Sequence, residues 1–268
     1  MTVHGSIGIV RKQRVLRQIC ISLLLVLPFT AFSQKADSLN TARKCTYMKE
    51  QEREMIYEIN LVRTHPQVYA ALIKPKYDYA KKMLDSFGKG YPDTSYSYTY
   101  ENGTQKKIVK KTVHYSREEM VNALRTLLED LNNLPPLPAI KPDKGIYDAA
   151  VWYGQDQEKH KWTLLHIGSD GSWPWDRIIR FSPGMEEGNE NLAGNSAKCT
   201  PRDIVIQLLI DEGIPGYGHR KNVLNPVWTH VACYYGGFSA GMNQWIQEFG
   251  KAKPARAAKP APSKTHAK

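Results

Sequence analysis

Residues 218–226 read Gly218-His219-Arg220-Lys221-Asn222-Val223-Leu224-Asn225-Pro226, and upstream of them stands Gly188-Asn189-Glu190-Asn191-Leu192. The first places a histidine between a glycine and two cations, and the second a carboxylate between two amides. Two further segments belong with them. Leu165-His166-Ile167-Gly168-Ser169-Asp170-Gly171-Ser172 sets a histidine in a Gly/Ser loop, and Asp211-Glu212-Gly213 ends an apolar run with two acids. Neutral imidazoles and carboxylates together suit a divalent cation, or proton transfer near neutral pH. Each residue also has a plain structural reading: His166 as a loop hydrogen-bonder, Glu190 as a turn acceptor, Asp211 as a solvated helix end, His219 as a cap. Spacing alone leaves both open.

Working outward, residues 49–63 carry Met55, Ile56, Ile59 and Leu61/Val62 at helical spacing opposite charged positions, which predicts an amphipathic helix. Thr64-His65-Pro66 ends or bends it, because the residue before a proline avoids the α region. A second helical piece, Gln67 to Ile73, is expected to stop before Lys74-Pro75. In 94–115, Tyr96, Tyr98 and Tyr100 alternate with Ser and Thr around Asn102-Gly103, which predicts a β-hairpin. A surface β-insertion is favoured there over an aromatic binding flap. Ser116 and Glu119 form a capping-box-like start for a helix with Leu124, Leu127 and Leu131 on its apolar face. Leu134 to Pro138 is a stiff connector. Helices are expected over 143–160, packing through Ala149, Ala150 and Trp152/Tyr153, and over 202–212. The best strands are His230–Tyr235 and Gln244–Phe249. Helices and strands mix without a regular alternation, so the class is α+β.

The chain has 268 residues and a formal charge of +11. Residues 1–33 hold four basic residues and no acid, and 251–268 hold six and no acid, which leaves 34–250 at about +1. The basic pI therefore gives little support to a nucleic-acid partner, and none is expected. Residues 1–33 have the form of an export signal: a basic segment to Arg17, an apolar stretch Ile19–Phe32, and small residues Ala31 and Ser33 before Gln34. The apolar stretch is short for a membrane span and contains Pro28, so cleavage near Ser33/Gln34 and no transmembrane anchor are expected. The mature chain then occupies the periplasm or the extracellular space. It keeps Cys45, Cys199 and Cys233; Cys199 with Cys233 is the favoured pair, three unpaired thiols the alternative. The Lys/Ala/Pro-rich segment 251–268 has too little apolar surface to offset the entropy of ordering, so it reads as a disordered tail, with loose contact to anionic surfaces as its functional reading.

Signatures of common enzymes are missing: no Gly-x-Ser-x-Gly, no phosphate-binding Gly-x-x-x-x-Gly-Lys, no His-Glu-x-x-His, no Cys-x-x-Cys. Asn189-Glu190-Asn191-Leu192 together with 218–226 resembles the CAP superfamily of cysteine-rich secretory, antigen 5 and pathogenesis-related proteins, in its bacterial secreted (SCP-like) branch. Ile59 to Arg63, Ile167 to Ser172 and Arg202 to Asp211 add to the likeness. It covers roughly 50–250, broken between about 75 and 117 by the hairpin. The resemblance implies an α-β-α sandwich over 34–250 with the hairpin inserted. It also implies a cleft holding two histidines, His166 and His219, and two acids, Glu190 and Asp211, with Glu212 the alternative to Asp211. A divalent metal on His166 and His219 is implied, Zn²⁺ first and Ca²⁺ or Mg²⁺ next. Three positions depart from the family pattern: Asn189 replaces a glycine, Leu208 a tryptophan, and Asp211 is the shorter acid.

The resemblance favours a non-catalytic module binding a lipid or a protein partner. The alternative is a secreted hydrolase in which a metal-bound water is activated, with Glu190 or Asp211 as base.

Overall fold

The computed structural model describes residues 38–101, 104–160, 165–196, 199–237 and 242–254, with the backbone alone over 91–115. The segment read as an export signal, Asn102-Gly103 and the segment beyond 254 lie outside the described residues. In chain order the elements are α1 (Glu50–Thr64), α2 (Pro66–Phe87), β1 (Gly90–Glu101), β2 (Thr104–Ser116), α3 (Arg117–Asn133) and β3 (Lys141–Pro142). There follow α4 (Lys144–His160), α5 (Pro174–Phe181), β4 (Met185–Ser196), α6 (Pro201–Ile210), α7 (Gly218–Val223), β5 (His230–Gly237) and β6 (Met242–Ala252). The fold is α+β. Among the described residues no helix is long and apolar enough to cross a membrane.

The main sheet has the order β3-β5-β6-β4, with β5-β6 and β6-β4 antiparallel and β3 parallel to β5. Its register sorts side chains by face, because residues directly opposite one another point the same way. Leu192, Ile246 and Tyr234 are in line and pack with Ala150 and Tyr153 of α4. Glu190, Glu248 and Ala232 share that face, as does Gly188, where a Cβ would stand 2.5 Å from Ile178 of α5. The opposite face carries Asn191, Gln247 and Cys233, then Asn189, Phe249 and Val231. There Phe249 stacks with Trp228, and Asn191 meets α7. Helices thus cover both faces: α4 and α5 on one, α1, α6 and α7 on the other.

Helix α1 ends at Thr64 and α2 begins at Pro66, as the proline requires. The expected stop at Lys74-Pro75 does not occur. Helix α2 runs through Pro75 to Phe87, packed along α3, with a Lys74–Asp78 ion pair of 2.5 Å spanning the proline. The missing N–H costs one rung, and packing on either side outweighs it. The hairpin forms, longer than expected, as a separate two-stranded sheet. Ser116 Oγ accepts from the Glu119 amide and starts α3. Helix α6 stops at Ile210, with Asp211 as its left-handed cap. Residues 185–196, to which the sequence reading gave no element, are the edge strand β4, so Glu190 sits in a strand and not in a turn. Lys251 and Ala252, assigned to the tail, belong to β6: they pair with Glu187 and Met185, and Lys251 meets Glu186 and Glu187 at 2.8 and 2.7 Å. Cys45, Cys199 and Cys233 are all free thiols, so the favoured pair is not formed. Cys233 is buried within β5, which β6 separates from β4 and the Cys199 segment that follows it.

Asn60 of α1 holds the N-terminal segment and the connector to the helix. Its side-chain nitrogen donates to Leu39 O, Thr41 Oγ1 and Ile140 O, and its oxygen accepts from Ile140 N at 2.9 Å. Asn60→Ala leaves the buried Ile140 amide without that acceptor. It should cost about 2–3 kcal/mol, read as a lower urea midpoint at unchanged slope; a shift within error of wild type would contradict this role.

Candidate functional site

Beside the edge strand β4 lies a cleft of about 730 Å³. Leu192, Ala193 and Gly194 of β4 form one wall, Ile206, Leu208 and Ile210 of α6 the other, and Asp211, Glu212 and Ile214 extend it. His166 enters from the loop between α4 and α5, on one side of the sheet; His219 enters from α7, on the other. The end position of β4 makes this possible, since an inner strand has no free edge for side chains from both layers to meet across.

His166 is set by a chain of buried partners. Its Nδ1 is 2.8 Å from Glu190 Oε1, and Arg177 Nη2 donates to Glu190 Oε2 at 2.9 Å. Arg177 Nη1 also donates to the carbonyls of His166 and Ser172, so one guanidinium holds both the loop and its carboxylate. The loop is braced further by Asp156, which accepts from Ser169 N and Oγ, and by Asp170, which accepts from Ser172 N and Oγ. Burial, then the Arg177 charge, lower the His166 pKa below its ordinary value, so the ring is neutral at pH 7. With Nδ1–H donated to Glu190, the Nε2 lone pair is the one left for the cleft.

His219 repeats the arrangement. Its Nδ1 is 2.7 Å from Asp211 Oδ1, and its own amide donates to Asp211 Oδ2 at 2.8 Å. Asp211 therefore ends α6 and caps α7 at once, from a left-handed backbone (φ 55°) that Asp tolerates better than most residues. Arg220 fixes the junction: buried, it donates to Leu209 O, Ile210 O and Ala123 O and meets Asp130 at 3.0 Å. Asn191 Nδ2 donates to His219 O and Gln247 Oε1, and Asn222 Nδ2 to Asn191 Oδ1, which locks α7 onto β4.

The four expected site residues thus come together as two histidine–acid pairs. Asp211, not Glu212, bonds His219; Glu212 lines the cleft beyond. Asn189 leaves β4 in register opposite Phe249, with its side-chain oxygen accepting from the Glu190 amide. Among the described residues no group of three or more ligating side chains is assembled for a metal. Both imidazoles line the cleft, and Glu190 and Asp211 hold one ring nitrogen of each.

Sequence reading missed Arg177 and Glu248. Glu248 lies opposite Glu190 in the β4–β6 register, fully buried, and neither of its oxygens accepts a hydrogen bond; Arg177 Nη2 is 4.0 Å away. One guanidinium cannot neutralise two buried carboxylates. Burial pushes the Glu190 pKa up to about 7 against the pull of Arg177. Burial and the Glu190 charge push Glu248 well above the ordinary range. Glu248 is therefore held toward its protonated form. A carboxyl raised in the folded state contributes stability that is complete below its unfolded pKa and lost as pH rises through its folded one. Glu248→Gln keeps a neutral side chain, so wild type should lose stability relative to this variant as pH rises above the ordinary carboxyl value of 4.5 toward the raised one. Parallel stability curves in urea across that range would show that Glu248 carries no proton to lose.

No family model matches the chain. A stretch of 113 residues, 42% of the chain, is 27% identical to the uncharacterized protein YkwD of Bacillus subtilis (strain 168), and spans 40% of that protein's length. Among solved structures, an outer surface protein from Borrelia burgdorferi aligns over 51% of this chain and 94% of its own, at 20% identity and a TM-score of 0.37.

Proposed function

We propose that the chain is an exported binding module of the CAP type, whose cleft holds a divalent cation on the Nε2 atoms of His166 and His219. The observation that carries this reading is the matched bracing of the two rings. Each gives Nδ1 to a buried carboxylate, at 2.8 and 2.7 Å, and each lines the same cleft. Metal-ligating histidines are oriented in this way, by a second partner that fixes the tautomer and raises ring basicity. Zn²⁺ is the first choice because it accepts imidazole nitrogen readily. Ca²⁺ and Mg²⁺ want oxygen, and the oxygens of Glu190 and Asp211 are already engaged. With two protein ligands, the remaining positions belong to water or to an oxygen of the bound molecule, a lipid head group or a protein carboxylate.

The hydrolase alternative asks Glu190 or Asp211 to act as a base in the cleft. Both oxygens of Glu190 are held, by His166 and Arg177, and both of Asp211 by the ring and amide of His219. That engagement favours binding over turnover. Export rests on the N-terminal basic and apolar pattern.

The test is calorimetric titration of residues 34–268 with Zn²⁺, Ca²⁺ and Mg²⁺. Zn²⁺ should bind near one equivalent and be lost in the His166→Ala/His219→Ala double variant. Glu190→Gln and Asp211→Asn should each weaken it about 10–100-fold. Unchanged Zn²⁺ affinity in a folded double variant would reject the site.

A further inference from the structure

Strand β4 pairs with β6 on one side only, and its other edge borders the cleft. In an antiparallel pair, residues that exchange both main-chain bonds with the partner strand alternate with residues that turn both groups away from it. Glu190 is of the second kind: its amide donates to Asn189 Oδ1 at 2.8 Å and not across to the facing Glu248. The far side of β6 agrees. Gly250, two places from Glu248, accepts from Thr229 N at 3.0 Å on the β5 side, so these alternate residues of β6 turn toward β5 and away from β4. The β4–β6 register is unbroken from Glu187 to Ser196, so Leu192 and Gly194 follow Glu190. Both direct N–H and C=O off the outer edge, and both line the cleft. Among the described residues, none of these four groups has a hydrogen-bond partner.

This open stretch is bounded at both ends. Asn189 Oδ1 already occupies the Glu190 amide, and beyond Gly194 the Asn195 Nδ2 donates to Gln207 Oε1 of α6 at 2.6 Å, bridging strand and helix. Whatever fills the stretch between must offer a donor and an acceptor together, and the same again roughly 6.8 Å further along. An extended peptide main chain has that repeat. An acyl chain has neither group, and would leave the edge amides unpaired in a dry cleft. The β4 edge of a second copy carries helices on both faces of its sheet, and α6 walls the cleft against a body of that size.

We propose that the cleft takes an extended peptide, which joins the four-stranded sheet as a further strand beside β4. Two alternate residues of the peptide bond Leu192 and Gly194, and the residue between them lies opposite Ala193. Facing residues point the same way, so that central side chain is directed to the side of the sheet that carries α6. Ile206 and Ile210 line the cleft there, and the residue that suits them is apolar. Its two neighbours face the other side, from which His166 enters. The ligand class is thus an extended segment with an apolar residue at its centre. This inference rests on reading the cleft as a binding site, and does not need the metal.

The experiment has two parts, both on residues 34–268 in EDTA. The first is amide hydrogen exchange read by NMR. In the free protein, Leu192 and Gly194 should exchange faster than Asn191 and Ala193, whose amides face β6. The second is titration with a library of acetyl- and amide-blocked pentapeptides, varied at the second and fourth positions, with Leu, Val, Phe or Lys at the third. Saturable binding is expected for members with an apolar third residue, and it should slow exchange at Leu192 and Gly194. Methylating the peptide nitrogen of the second or the fourth residue should weaken binding about 10-fold or more, and methylating that of the third should leave it nearly unchanged. The methyl scan alters the probe and not the protein, so misfolding cannot imitate its result. Equal protection of all four amides in the free protein overturns the proposal. So does a library with no saturable binder, a methyl scan without alternation, or a concentration-dependent dimer that protects Leu192 and Gly194 without peptide. Zn²⁺ titration in the absence of EDTA separates the two readings: peptide failure beside intact Zn²⁺ binding rejects the strand site alone, and the reverse rejects the metal alone.

Discussion

Arg177 lies wholly inside the protein, and Glu190 makes that position tolerable. A lone guanidinium taken out of water costs several kcal/mol, and its attraction to a carboxylate offsets this only when the remaining donors also find partners. Here Nη2 meets Glu190, Nη1 is shared by the carbonyls of His166 and Ser172, and the guanidinium lies over the Tyr153 ring; Nε alone has no acceptor. The ion pair ties helix α5, strand β4 and the His166 loop into one unit. It also explains the neighbouring Glu248: the local charge balances with one ionised carboxylate and not with two. The cleft histidine therefore sits on a buried cluster whose charge state is set by the sheet register opposing residues 190 and 248.

The second histidine depends on a different constraint, the sharp reversal between α6 and α7. Asp211 and Tyr217 both adopt left-handed backbone, with Gly213 and Gly216 between them also at positive φ. Non-glycine residues accept such a conformation only when their surroundings repay the strain. For Asp211 the return is two bonds to His219; for the junction as a whole it is Arg220, whose guanidinium gathers the open carbonyls at the end of α6. The two halves of the cleft are thus built by unlike means, a buried ion pair on one layer and a strained double cap on the other. They meet only because β4 is the last strand of the sheet.

Much of this was legible in the sequence wherever local rules govern. The apolar spacing of Met55, Ile56, Ile59 and Val62 marked α1, the Ser116 cap marked α3, and the tyrosine alternation marked the hairpin. Strand β4 was not legible. Met185 to Ser196 contains two glycines and no β-branched residue, and it is a strand because β6 pairs with it. Pro75 misled in the other direction, since tertiary packing carried α2 through a local breaker. The site residues were named from motifs, but their division into His166–Glu190 and His219–Asp211 was not. It follows from which sheet face each side chain occupies, and that parity needs the register. Glu248 was hidden for the same reason. In Trp245-Ile246-Gln247-Glu248-Phe249 nothing local marks the glutamate as facing another carboxylate.

Helix α5 connects these observations. Eight residues long, it turns Arg177 and Ile178 inward, to Glu190 and Gly188, and Trp175 and Ile179 outward. The Asp176 cap and the Arg177 contacts to the His166 loop fix its first turn. The same few bonds that hold His166 at the cleft therefore hold Trp175 and Ile179 at the surface. A short helix of this kind has little stability of its own; it persists because its inner face is fastened to the sheet. The placement of α5 on the sheet is thus supplied by the buried cluster, so its outer face, with Trp175 and Ile179, inherits its position from Arg177 and Glu190 without sharing their chemistry.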